Sequence, residues 1–99
     1  MFMAREVLTC RPGGVRDLVR KFQALGAVME EMGVEPFRLY TDVAAEQFWT
    51  LVLEKDYETL DEIAAVEAKV MGDDRAKAVM DGYHDLVVSG RRELYRIEE

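Results

Sequence analysis

A break in period at Pro12-Gly13-Gly14 constrains this chain more than any other feature. Before it, "MFMAREVLTC" places apolar side chains on both alternating sets, Phe2, Ala4 and Leu8 on one and Met3 and Val7 on the other. A strand covered on both faces has this pattern, because successive side chains point to opposite sides. After the break, Val15, Leu18, Val19, Phe22, Leu25, Met29 and Met32 recur at three- and four-residue steps, which is one face of a long helix. The proline ends the strand and the glycines permit the reversal. "RPGGVRD" lacks the length and the Lys-Ser/Thr ending of a phosphate loop, so it reads as a corner. Arg16, Arg20 and Lys21 fall on the solvent side of the helix, and Gly33 is its expected left-handed stop.

An amphipathic helix needs a sheet to pack on, and the remaining chain supplies one. "EPFRLYTDVAAEQFWTLVLEK" reads as two strands about a short turn near Ala44-Ala45-Glu46. With Ala45-Glu46 as a two-residue loop, Asp42 faces Trp49, Tyr40 faces Leu51 and Arg38 faces Leu53. Phe37, Leu39, Thr41, Val43, Phe48, Thr50 and Val52 then meet the helices. Arg38, Tyr40, Asp42, Trp49, Leu51 and Leu53 share the other face, which is too apolar to leave in water. "DYETLDEIAAVEAKVM" is a helix capped by Asp56 or Thr59, with Thr59 and Glu62 at capping-box spacing. Asp73 caps a further helix that closes at Ser89-Gly90, and "RRELYRIE" alternates as a last strand.

The order β-α-β-β-α-α-β predicts an α+β, ferredoxin-like antiparallel sheet with its helices on one face, in a single domain over residues 1–99. A chain this short gains by burying its second sheet face against a copy of itself, so a homodimer through the open face is expected. With 20 acidic and 13 basic residues the net charge is -7, which argues against nucleic acid or an anionic membrane as partner. One cysteine excludes an intrachain disulfide and a multi-cysteine metal site. No leader pattern opens the chain and no apolar run approaches the ~20 residues that span a bilayer, so the expectation is a soluble cytoplasmic protein.

The runs "REVLTCRPGGVRDLVRKFQAL", "FRLYTDVAAEQFWTLVLE" and "GRRELYRIE" resemble the dimeric α+β barrel superfamily, and within it the bacterial NIPSNAP-like proteins of unassigned function. The resemblance covers nearly the whole chain. It implies a barrel closed by two copies, with a cavity in the barrel interior or between sheet and helices. It implies a small-molecule ligand or an interaction role, with cofactor-independent monooxygenase or isomerase activity on a small aromatic or carbonyl compound as the alternative, and haem binding or degradation behind that. The asparagine that the oxygenase and haem branches carry on their first strand has no counterpart in "FMAREVLTC". No cofactor and no metal is assigned.

Candidate site residues come from the hairpin. Arg38, Tyr40, Asp42 and Trp49 form a polar-aromatic cluster for ligand binding, in which a guanidinium, a phenol and a carboxylate at alternate positions project together. The plainer reading makes Arg38 and Asp42 ion-pair partners across the dimer and Trp49 an interface anchor. Tyr40, Asp42 and His84, the single histidine, are the acid-base candidates. Cys10 precedes Arg11 near a helix start, a setting that activates a thiol, although a lone cysteine ending a strand is also an ordinary small core residue.

Overall fold

The period break at residues 12–14 is a strand-to-helix corner in the structure, a computed structural model that describes residues 1–99. Strand β1 (Phe2–Cys10) ends before it and helix α1 (Val15–Glu31) begins after it. Gly13 takes φ +81°, and the Gly14 amide closes the turn on the Arg11 carbonyl at 2.8 Å. At the far end of α1, Gly33 takes φ +76° and donates to the Glu30 carbonyl, while the Val34 amide donates to that of Met29. These two bonds satisfy carbonyls the helix leaves free, which is a Schellman ending. β2 (Arg38–Thr41), β3 (Thr50–Tyr57), α2 (Leu60–Met71), α3 (Asp74–Val79), α4 (Tyr83–Leu86) and β4 (Val87–Arg96) follow.

The four strands form one antiparallel sheet in the order β2-β3-β1-β4, the ferredoxin-like arrangement expected from the sequence. The whole chain measures 35 × 35 × 17 Å along its principal axes, and the short dimension accommodates one sheet and one helix layer. Leu8, Cys10, Leu51 and Leu53 of the sheet pack against Leu18, Phe22, Leu25 and Met29 of α1 in the core. No helix is long and apolar enough to cross a membrane.

The Thr59 hydroxyl caps α2 by accepting from the Glu62 amide at 3.2 Å, and the Glu62 carboxylate returns to the Glu58 amide at 2.8 Å. Asp73 caps α3 through the Arg75 and Ala76 amides. Arg75 in turn reaches Glu31 at 2.7 Å and ties α3 to the end of α1. Two of the three basic residues early in α1 have partners. Arg20 pairs with Asp17 at 3.0 Å, and Lys21 Nζ donates to the Asp81 carbonyl where α3 gives way to α4.

Two expectations are corrected. The helix following Asp73 does not run on to Ser89-Gly90. It breaks near Gly82, which takes φ +83°, and β4 starts at Val87 with Ser89 and Gly90 inside it. Gly90 marks close approach within the sheet, since a methyl group there would lie 2.8 Å from Leu8 Cδ2.

The hairpin register also differs by one residue. Arg38 pairs with Glu54, Leu39 with Leu53, Tyr40 with Val52 and Thr41 with Leu51. The connection runs from Asp42 to Trp49 and is not a two-residue turn. The Thr50 amide donates to Asp42 Oδ1 at 2.8 Å, Asp42 donates its own amide to the Thr50 carbonyl at 3.2 Å, and Trp49 is held at φ +60° with its carbonyl accepting from the Cys10 amide at 2.8 Å. Those bonds offset the strain of a left-handed tryptophan. A one-residue slip exchanges the faces of a strand. Leu51 and Leu53 are therefore buried against the helices, and Thr50 and Val52 belong to the open face.

Candidate functional site

The open face of the sheet is organised around one charged row. The three pairings place Arg38, Glu54, Arg5 and Glu93 side by side across β2, β3, β1 and β4, so the sign alternates at every strand. Arg5 Nε meets Glu54 at 2.8 Å and its other arm lies 3.6 Å from Glu93; Arg38 reaches Asp56 at 3.0 Å and Glu54 at 3.7 Å; Arg91 meets Glu93 at 3.1 Å. Three cations and three carboxylates balance, and each is paired. Met3, Val7 and Val52 lie beside the row, with Tyr40 and Tyr95 each 46% exposed. Residues 45–47 of the β2–β3 connection overhang this face, where Thr50 Oγ1 donates to the Gln47 carbonyl at 2.8 Å. They enclose a groove of about 350 Å³ whose floor is Val7, Thr9, Thr50 and Val52, with Tyr40 and Arg91 at its sides.

The residues proposed from the hairpin do not converge on one point. Tyr40 lines the groove and Arg38 stands in the charged row. The Asp42 carboxylate is taken by the Thr50 amide. Trp49 lies just before β3, in a separate hollow that it and Asp42 share with Gly13, Val15, Arg16 and Phe48. His84 is on the opposite side of the sheet, its ring edge-on to that of Tyr83 with centroids 5.1 Å apart.

His84 borders a cavity of about 500 Å³ between sheet and helices, walled by Phe22, Leu25, Phe37, Val66, Val70 and Met80. Its polar groups are few: Glu6 from β1, Arg92 from β4, Glu67 from α2, and Lys77, Tyr83 and His84 from the α3–α4 segment. A mainly apolar hollow with placed polar groups is the usual form of a small-molecule site. Glu6 shares the parity of Ala4 and Leu8, so its carboxylate points toward the helix layer. Its cross-strand neighbour is Arg92, but that guanidinium pairs with Glu67 on α2. Glu54, Asp56 and Glu93, the other carboxylates of the strands, all have ion-pair partners, and Glu6 has none. Burial raises the Tyr83 hydroxyl above its ordinary pKa, with the Glu6 charge adding to the effect, so Tyr83 is a neutral hydrogen-bond donor near neutrality. The signal for Glu6 lay in its sequence position: a carboxylate in phase with the apolar set Phe2, Ala4 and Leu8.

Cys10 is 2% exposed, and burial, followed by the charge of Asp42, pushes its thiol up. That environment suits an inert core thiol and overturns the activated-thiolate alternative. No group of three or more His, Cys, Asp or Glu side chains is placed to hold a metal ion.

The architecture is that of the ferredoxin-like α+β class, four antiparallel strands with helices on one side. Among solved structures the chain is similar to a NIPSNAP family protein from Agrobacterium tumefaciens strain C58, with TM-score 0.84 and 13% identity over 99% of this chain and 93% of that one. It is similar to an uncharacterised NIPSNAP-like domain protein from Burkholderia xenovorans, with TM-score 0.79 and 17% identity over 98% and 84%. A structure described as an antibiotic biosynthesis monooxygenase superposes with TM-score 0.72 and 9% identity over the full length of both chains. The resemblance to NIPSNAP-like proteins read from the sequence is thus matched by fold, and at these identities the likeness is one of fold alone. Neither the protein-family models nor the curated proteins give a match.

Proposed function

We propose that this chain works as a two-fold homodimer closed through the open sheet face, each copy binding a small, largely apolar molecule in the cavity between sheet and helices. The observation that carries the binding reading is the cavity itself: about 500 Å³, with aromatic and aliphatic walls and a few polar groups. The dimer reading rests on the charged row. A two-fold axis running along the strands between β3 and β1 sets Arg38 of one copy opposite Glu93 of the other, and Glu54 opposite Arg5. Plus meets minus along the whole row. Ion pairs of this kind contribute more to register than to affinity. The affinity comes from apolar area around the row, at Met3, Val7, Val52, Tyr40 and Tyr95. A single cysteine held as a buried thiol is compatible with a reducing cytoplasm.

Two measurements test this reading. Sedimentation equilibrium is expected to give a dimer at micromolar concentration, and a stable monomer there ends the dimer reading. The neutral dye N-phenyl-1-naphthylamine is expected to brighten on binding, and Val66→Trp, which fills the cavity, is expected to weaken it at least tenfold while the protein stays folded by circular dichroism. Unchanged affinity in that variant ends the cavity reading.

A catalytic reading, a cofactor-independent oxygenase or isomerase for a small aromatic or carbonyl compound, has one observation in its favour: Glu6, Tyr83 and His84 border the same apolar cavity. The fold shared with the monooxygenase structure adds only analogy. Oxygen uptake above background with a hydroxylated aromatic, lost in Glu6→Gln, supports the oxygenase form; no uptake in the wild type ends that form.

A further inference from the structure

From the charges around the helix-side cavity we infer that it selects neutral apolar molecules carrying a hydroxyl, phenolic or enolic, which they donate to Glu6. This rests on the cavity reading above and adds the ligand's chemical class.

Glu6 is the one carboxylate of the four strands without an ion-pair partner or a side-chain hydrogen bond, and it faces apolar walls. A partly desolvated carboxylate gains most from a donor brought to it, because water competes poorly there. The nearest cation along the sheet cannot serve. Arg92 is its cross-strand neighbour but is committed to Glu67. The Tyr83 hydroxyl, which lines the same cavity, feels the Glu6 charge, which raises its pKa after the larger effect of burial.

The remaining charges narrow the class. An apolar carboxylate placed beside Glu6 would face a like charge, and the neighbouring Arg92 is already bonded to Glu67. Like charges brought together repel, so anions are disfavoured beside Glu6. An apolar ammonium would gain Glu6 but approach Lys77, which lines the same space. A neutral donor avoids both penalties. A site with one fixed acceptor also discriminates sharply against an analogue that lacks the donor, since the acceptor is then left without its partner.

The test displaces N-phenyl-1-naphthylamine from the full chain at pH 7 with three compounds of one size: 2-naphthol, naphthalene and 2-naphthoate. The wild type is expected to bind 2-naphthol at least tenfold more tightly than either of the others. Glu6→Leu, checked for folding by circular dichroism, is expected to abolish that preference. Glu6→Gln, which keeps an acceptor and loses the charge, is expected to retain part of it while 2-naphthoate binds more tightly. Equal affinities for the three compounds in the wild type, or an unchanged ranking in Glu6→Leu, overturn this inference and leave the cavity reading intact. No binding of the dye or of any of the three overturns both.

Discussion

Arg5 and Glu6 are neighbours in the chain and point to opposite faces of the same strand. Arg5 enters a row in which every charge has a partner on the adjoining strand. Glu6 enters an apolar space and has none. The first face is a balanced surface, where partly exposed ion pairs contribute about 0–1 kcal/mol each and chiefly set geometry. The second is a packed layer in which one carboxylate is out of character with its surroundings. A balanced surface suits recognition of an identical surface, and an unbalanced group in an apolar space suits recognition of a small molecule.

The largest effect that could break this comparison comes from adjacent residues of β3. Leu51 is fully buried on the helix side and Val52 lies on the open face. Leu51→Ala is expected to cost about 2–5 kcal/mol, read from urea unfolding, and Val52→Ala less than about 1 kcal/mol in the monomer. Similar costs would mean the faces are wrongly assigned. Next is Gly90→Ala, expected to cost about 1–2 kcal/mol by crowding Leu8. Adding Leu8→Ala should make the two losses less than additive in a thermal melt.

Charge reversal sharpens the other half. Arg5→Glu or Glu54→Arg alone is expected to weaken the dimer about tenfold, or ~1.4 kcal/mol, and the double reversal to restore it, as followed by sedimentation.

The smallest effect is the pH profile, which the two faces divide between them. On the helix side the Cys10 thiol and the Tyr57 and Tyr83 hydroxyls are all raised, first by burial. The fold therefore keeps protons that the unfolded chain releases, and stability should fall as pH rises above the unfolded thiol value of about 8.5. On the open face Glu93 is lowered, first by its hydrogen bond from Arg91, and at the α3 cap Asp73 is lowered by Arg75. Their contribution should be present above the ordinary carboxylate range and lost as pH falls through and below it. Arg91→Gln should flatten the acid limb of a pH series of melting temperatures and leave the alkaline limb unchanged.

The parts of this fold that were legible in the sequence are those in which local chemistry and long-range packing agree. The proline and glycines at residues 12–14, the period of α1 and the Thr59–Glu62 cap each leave one sensible reading. The hairpin register did not, because Val43-Ala44-Ala45-Glu46-Gln47-Phe48 contains neither glycine nor proline to mark a turn. The long connection depends on contacts remote in sequence, above all the Cys10 amide on the Trp49 carbonyl. One residue of slip was enough to set Leu51 and Leu53 on the wrong face. Arg38 and Tyr40 kept their face because β2 alternates from Phe37 whatever it pairs with. Glu6 was missed for a different reason: apolar residues on both parities of β1 hide a single carboxylate until the helix layer is in place.

The interruption at Gly82 has a kinetic consequence. α3 spans six residues and α4 four, far below the length at which a helix persists unaided, so each holds its shape only while docked on α1. Lys77, Met80, Tyr83 and His84 of this segment form one wall of the cavity. Amide protons of α3 and α4 should then exchange with solvent orders of magnitude faster than those of β1 and β3, through excursions that leave the sheet intact. A molecule bound in that cavity would slow them, so the exchange of these amides reports directly on whether the cavity is occupied.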